Sequence, residues 1–249
     1  MGTQVAEPGR GGIEIEGAYL EGSRGTVFGP ITLLSERPVT LVTGARGSGR
    51  TSLLLCLAGR MRLGSGRLAV LGETAPAAIR RRVGIAGFAG IDDLEPAVSV
   101  GATLRERVAW ALPWYRRAPR VTPDLADELL APAFGGLPRP APGDLVRELR
   151  PSDELLLRIA LALVEDPRML VIDDLDQLSN DEDRAVVAER LQALAEQGIR
   201  IAVSTSNPGD AGLFSRGAPE VLALSAPAEA PAAGACRPPA GAGAPIPIA

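Results

Sequence analysis

The sequence contains no histidine and no lysine, so all 26 of its basic residues are arginine. Without imidazole there is no histidine base, no histidine metal ligand and no histidine-centred triad. Cysteine is scarce. Cys56 sits in an apolar run and Cys236 in a Pro/Ala-rich tail. One buried and one solvated thiol are expected, with no disulfide framework, which suits a reducing compartment. No apolar run approaches the ~18 residues of a spanning helix, and the N-terminus has no signal-peptide pattern. The expectation is a cytoplasmic chain whose membrane role, if any, comes through a partner. A net charge of −4 argues against nucleic acid as a main partner, because a phosphate backbone needs a basic face. What remains is ordinary for a soluble globular protein: 249 residues, 46% hydrophobic and 22% charged, enough for one larger domain or two small ones.

Residues 1–12 are polar and Gly-rich and read as a flexible N-terminus. Alternation at Ile13 to Glu16 suits a half-buried strand. Further strands are expected at Ile31 to Leu34, Val39 to Val42 and Arg67 to Leu71, with a helix from Thr51 to Leu57. From about 89 to 165 the spacing turns helical, at Ala102 to Leu112, Leu125 to Leu130 and Glu154 to Val164, with Pro/Gly breaks between. Met169 to Ile172 is a continuous apolar run of the kind buried on both faces of a parallel sheet. A helix at Asp183 to Gln197 and strands at Ile199 to Val203 and Glu220 to Leu224 complete right-handed strand–helix–strand units. Residues 226–249 are nearly all Ala, Pro and Gly and are expected to be disordered.

The central motif is Gly44-Ala45-Arg46-Gly47-Ser48-Gly49-Arg50-Thr51, followed by Ser52. It has the phosphate-loop spacing G-x-x-x-x-G-K-[ST], between a strand and a helix. Its glycines let successive N–H groups turn onto phosphate oxygens, and the helix start adds its positive end. Thr51 offers a hydroxyl to Mg²⁺. The departure is Arg50 in place of Lys. The charge is kept, but a planar fork replaces a compact ammonium. The second anchor is Met169-Leu170-Val171-Ile172-Asp173-Asp174. A buried strand ending in a carboxylate is the Walker B pattern, which brings Asp173 to the Mg²⁺ shell.

The order of these parts resembles the ATP-binding subunit of an ABC transporter, over about 13–225. Leu41 to Leu55, Gly64 to Gly72 and Leu149 to Asp174 carry the resemblance, including Asp166-Pro167 before the Walker B strand. It implies an α/β P-loop NTPase of ABC-cassette type. Its parts would be a mostly parallel core sheet, a small antiparallel β subdomain and a helical insert at about 89–165. It also implies ATP and Mg²⁺ as ligands, a second cassette as partner, and an integral membrane subunit holding the chain at the inner face of the membrane. Carried over position by position, the catalytic extras are changed. Phe88 stands at the Q-loop glutamine, and Leu149 to Asp153 at the signature, where Pro151 removes a donor and Asp153 and Glu154 repel phosphate. The general-base glutamate is Asp174, one methylene shorter. The switch histidine is Ser206, and the D-loop aspartate is Asn180. Adenine stacking falls to Phe28 or Tyr19.

The elements that bind nucleotide are thus kept, while those that position water and close a dimer are replaced together. The leading expectation is a nucleotide-binding subunit with weak or partner-dependent hydrolysis. The alternatives are a pseudo-ATPase scaffold and a soluble cassette ATPase without a transporter. One feature falls outside these motifs. The stretch Arg105 to Arg117 holds both tryptophans of a chain with 3% aromatics. It is expected to be a docking surface, a contact for lipid headgroups, or simply insert core with a solvated arginine face.

Overall fold

In the computed structural model, residues 11–23 and 25–225 are described. The strands are β1 (Ile13–Gly22), β2 (Gly25–Ser35), β3 (Val39–Gly44), β4 (Ser65–Val70), β5 (Val83–Ala86), β6 (Met169–Ile172), β7 (Arg200–Thr205) and β8 (Glu220–Leu224). The helices are α1 (Arg50–Leu57), α2 (Pro76–Arg80), α3 (Val100–Ala111), α4 (Pro123–Phe134), α5 (Pro151–Leu163) and α6 (Asp181–Glu196). Five strands form a parallel sheet in the order β5-β6-β7-β3-β8, and three form an antiparallel sheet in the order β2-β1-β4.

The central strands are apolar on both alternations because both faces are covered. Leu41, Leu170, Ile172, Ile201 and Val203 feed one core, which they share with α3 to α6. Val42, Met169, Val171 and Ala202 feed the other, shared with α1 and the antiparallel sheet. Helix α1 buries Leu53, Leu54, Cys56 and Leu57 between the two sheets. The helical region is packed onto the parallel sheet: Leu155, Leu156 and Ile159 of α5 lie in the same core as Leu170 and Ile172.

Two elements go beyond those expected, α2 and β5. Both are too short for periodicity to register, and β5 is fixed by pairing with β6 from Val83↔Met169 to Ala86↔Ile172. Strands β1 and β2 extend well past the expected segments, because cross-strand partners continue the ladder where alternation fades. The expected flexible segment 1–12 is described only at its end. There Gly12 is buried and its carbonyl accepts from the Leu71 N–H at 3.0 Å. The remainder of that segment, the tail 226–249 and Cys236 lie outside the described residues.

Cys56 is buried, as expected. Burial pushes its thiol up from 9.0 to about 11. Because the folded state holds this proton more tightly, the group adds stability below its unfolded pKa. That contribution is lost as pH climbs through the interval from about 9 to about 11. In a Cys236→Ser chain at neutral pH, Ellman's reagent should label Cys56 only as fast as the protein opens. Rapid stoichiometric labelling of the native protein would contradict this.

Candidate functional site

The site forms where β3, β5, β6 and β7 end, at the carboxyl edge of the parallel sheet, where open α/β folds bind ligands. After Gly44 the chain turns, with the Ser48 N–H donating to the Ala45 carbonyl at 3.1 Å. Gly47 (φ 83°) and Gly49 (φ 87°) both adopt the left-handed conformation. A Cβ on Gly49 would stand 2.5 Å from the Val27 carbonyl oxygen, so only glycine fits there. Helix α1 then starts with no side-chain cap and no acid in its first turn. Its free N–H groups and positive end face a cavity of about 570 Å³.

Arg46, Gly47, Gly49, Arg50, Thr51 and Ser52 line this cavity from the loop, and Asp173 and Asp174 line it from the sheet. Eight of the expected residues therefore converge on one space. Gly44 and Ala45 form the loop's entry, and Ser48 is buried beneath it with an unpartnered hydroxyl. Phe28 is a correction. It is 2% exposed and packs in the core shared with α1. Its ring supports Gly49 from below and has no face to offer an adenine. The cavity is lined instead by the preceding residue, Val27.

The acidic side is ordered by residues outside the motifs. Ser204 Oγ donates to Asp173 Oδ1 at 2.7 Å and accepts from the Asp174 N–H at 2.8 Å. One hydroxyl thus sets both carboxylates. Asp174 takes a left-handed φ of 54°, a strained conformation that concentrates at functional sites.

Arg50 is 8% exposed. Its Nη1 donates to Asp176 Oδ2 at 3.0 Å, and its Nη2 lies 3.6 Å from Asp174 Oδ1. Asp176 also accepts from the Ser206 N–H at 2.6 Å and the Ser206 hydroxyl at 2.9 Å. Ser206, expected as a catalytic residue, spends its donors there. Burial and the neighbouring Asp176 push the Asp174 carboxyl up to about 6, against the pull of Arg50. At Asp176 burial is outweighed by hydrogen bonds from Asp174, Arg50 and Ser206, which hold it down at about 2. The two acids titrate as a pair.

The positions at which the sequence led us to expect replacements each have their own surroundings. Phe88 is fully buried. Its N–H and that of Gly87 donate to the Asp92 carboxylate at 2.7 and 3.0 Å. Arg158 of α5, 6% exposed, binds the same carboxylate in bidentate fashion at 3.0 and 2.7 Å. Burial opposes the charge on Arg158, but Asp92 and Asp93 outweigh it and raise its pKa. At the start of α5, Pro151 takes the first position and Asp153 and Glu154 the first turn. Arg150 is held bidentately by Asp153 at 2.8 and 2.9 Å, so its charge does not open that end to anions. Asn180 caps α6 through the Glu182 N–H at 2.9 Å. Asp92, Arg158, Asp176 and Ser204 were not legible as site residues. The Asp92-Asp93 doublet and the second acid after Walker B were the available signals.

No family model matches the chain. A Nod factor export ATP-binding protein I from Bradyrhizobium sp. (strain SNU001) is 29% identical over 163 residues, 65% of this chain and 51% of that protein. The chain spans about half the length of the curated relatives it matches. The solved dimeric structure of the bacterial ABC transporter cassette MJ0796 superposes with a TM-score of 0.66 at 17% identity, covering 86% of this chain and 94% of that one. CbiO1 from Clostridium perfringens, part of the ABC transporter complex CbiONQ, superposes with a TM-score of 0.65 at 19% identity, covering 81% of each chain. The fold is that of an ATP-binding cassette. Within that fold, Gly44 to Thr51 span the turn from β3 into α1, Asp173 directly follows β6, and β1, β2 and β4 form the antiparallel sheet.

Proposed function

We propose that this chain is the nucleotide-binding subunit of an ABC-type membrane transport complex. It binds Mg·ATP in the cavity above the phosphate loop and hydrolyses it slowly or only when a partner cassette completes the site. The observation that carries the binding is the cradle itself: two left-handed glycines, an uncapped acid-free start of α1, and Asp173 across from Thr51. The relatives and structural neighbours, an export ATP-binding protein and cassettes of ABC transporters, support the transport setting. Among the described residues no helix is long and apolar enough to cross a membrane. In this reading an integral membrane subunit is a partner at the membrane's inner face.

The residues fit the ligand. N–H groups of the loop and α1 take the phosphate oxygens. The Thr51 hydroxyl and Asp173 hold Mg²⁺, with Ser204 fixing the Asp173 carboxylate. Bound Mg²⁺ supplies positive charge to the β- and γ-phosphates. Arg50 must exchange a carboxylate for a phosphate, because its guanidinium already pairs with Asp176 and faces Asp174. Asp174 is the carboxylate left to orient water. Retraction by about 1 Å relative to a glutamate is worth ~10²-fold in rate. The acidic start of α5 is a poor partner for a γ-phosphate, which favours pairing with a different cassette over self-pairing. The capture of Arg50 by acids is also the observation that favours the second reading, a cassette-shaped scaffold that binds nucleotide poorly.

Calorimetry with Mg·ATP separates the two. Micromolar binding that weakens at least tenfold in Thr51→Ala, which loses a hydroxyl but no packing, is expected. Absence of both heat and thermal shift at millimolar ATP would leave the scaffold reading standing alone.

A further inference from the structure

The longest acid-free stretch around the helical region runs from Arg107 to Pro123 in a chain of 30 Asp and Glu. It covers the last turns of α3 and the irregular connection to α4, whose backbone is stiffened by Pro113 and Pro119. Three of the large apolar side chains exposed among the described residues lie here: Trp110 at 70%, Trp114 at 95% and Tyr115 at 69%. Trp114 and Tyr115 meet edge to face at 6.0 Å, so they stand as one aromatic tip. Ile91, 53% exposed, lines the same groove as Trp110, where the carboxylates of Asp92, Asp93, Glu106 and Glu165 also lie, so the groove is set apart from the aromatic tip. Arg116, Arg117 and Arg120 of this stretch are all exposed, as is Arg105 on the preceding turns of α3. Among the described residues none of the four is in an ion pair.

We propose that the α3–α4 connection is a direct docking surface for an anionic lipid bilayer, with Trp114 and Tyr115 at headgroup depth and the four arginines on lipid phosphates. Two tests of fit favour a bilayer over a protein surface. A ring 95% exposed projects from the fold and fills no pocket, as interfacial tryptophans do. The unpaired positive charge runs against the chain's net −4. An anionic leaflet attracts such a cluster. None of these aromatic and arginine side chains lines the nucleotide cavity, and the inference holds whether or not that cavity takes ATP.

The full chain should sediment with vesicles of phosphatidylcholine plus phosphatidylglycerol and stay in solution with phosphatidylcholine alone. Tryptophan emission should shift to the blue on binding, and added salt should reverse it. Trp114→Ser with Tyr115→Ser should weaken binding at least tenfold. Each of Arg116→Gln and Arg117→Gln should weaken it about fivefold. All four positions are exposed, and unchanged melting curves would verify the fold of the variants. Failure to sediment with the anionic vesicles overturns the proposal, as does equal sedimentation of wild type and variants. Association only with protein-containing membranes, abolished by protease treatment of those membranes, would assign the surface to a protein and also overturn it.

Discussion

Asp176→Asn is expected to tighten Mg·ATP binding by about tenfold to a hundredfold. Asp176 holds Arg50 at 3.0 Å, and in the proposed function an incoming phosphate must displace it. A hydrogen bond between charged groups is worth ~1.5–3 kcal/mol, which sets the size of the gain. Asparagine keeps the shape and can still accept from the Ser206 N–H, but it no longer competes as an anion. The same change should lower the melting temperature of the free protein, because Arg50 is only 8% exposed and loses its close partner. Saturating Mg·ATP should then raise it by more than in wild type, since stabilisation grows with affinity. Calorimetry and thermal melts read both effects. Affinity that stays level or falls would show that Asp176 is part of the binding site, not a competitor for its arginine.

Arg158→Met should cost ~3–5 kcal/mol of stability, a fall of roughly 10 °C in melting temperature. The reason is the carboxylate left behind. Asp92 is bound bidentately by Arg158 and also receives the N–H groups of Gly87 and Phe88. Removing Arg158 leaves that anion half-buried without its cation. Asp92→Ala should be comparably harmful, as it strands a buried guanidinium and two backbone donors. The double variant Arg158→Met/Asp92→Ala should recover part of the loss but not all, because the Gly87 and Phe88 donors stay unpaired. Urea unfolding of the four proteins checks this. Strict additivity of the two single losses would mean that the pair is not coupled.

Much of the architecture is written locally. Glycines at 44, 47 and 49 between an apolar run and a leucine-rich helix, and a four-residue apolar strand followed by Asp173, suffice to place the turn from β3 into α1 and a parallel sheet. These signals are short in range and tied to backbone geometry: only glycine takes φ near +85° at Gly49 without striking Val27.

What the sequence by itself determined, then, is the order of elements and most of the residues that line the cavity at the start of α1. Tertiary structure alone decided where charges point. Arg50 keeps the motif's positive charge on paper, yet folding brings it against Asp174 and Asp176, more than a hundred residues later. Phe28 is an aromatic at a plausible distance from the loop, yet packing turns it beneath Gly49. Arg158 lies in an amphipathic helix like any surface arginine, and only the return of residues 87–93 against α5 makes it a buried cation. A sequence specifies which groups are present and how the backbone turns near them. Electrostatic partners and burial are set by contacts between distant segments, and they exist only once the two sheets have closed around α1.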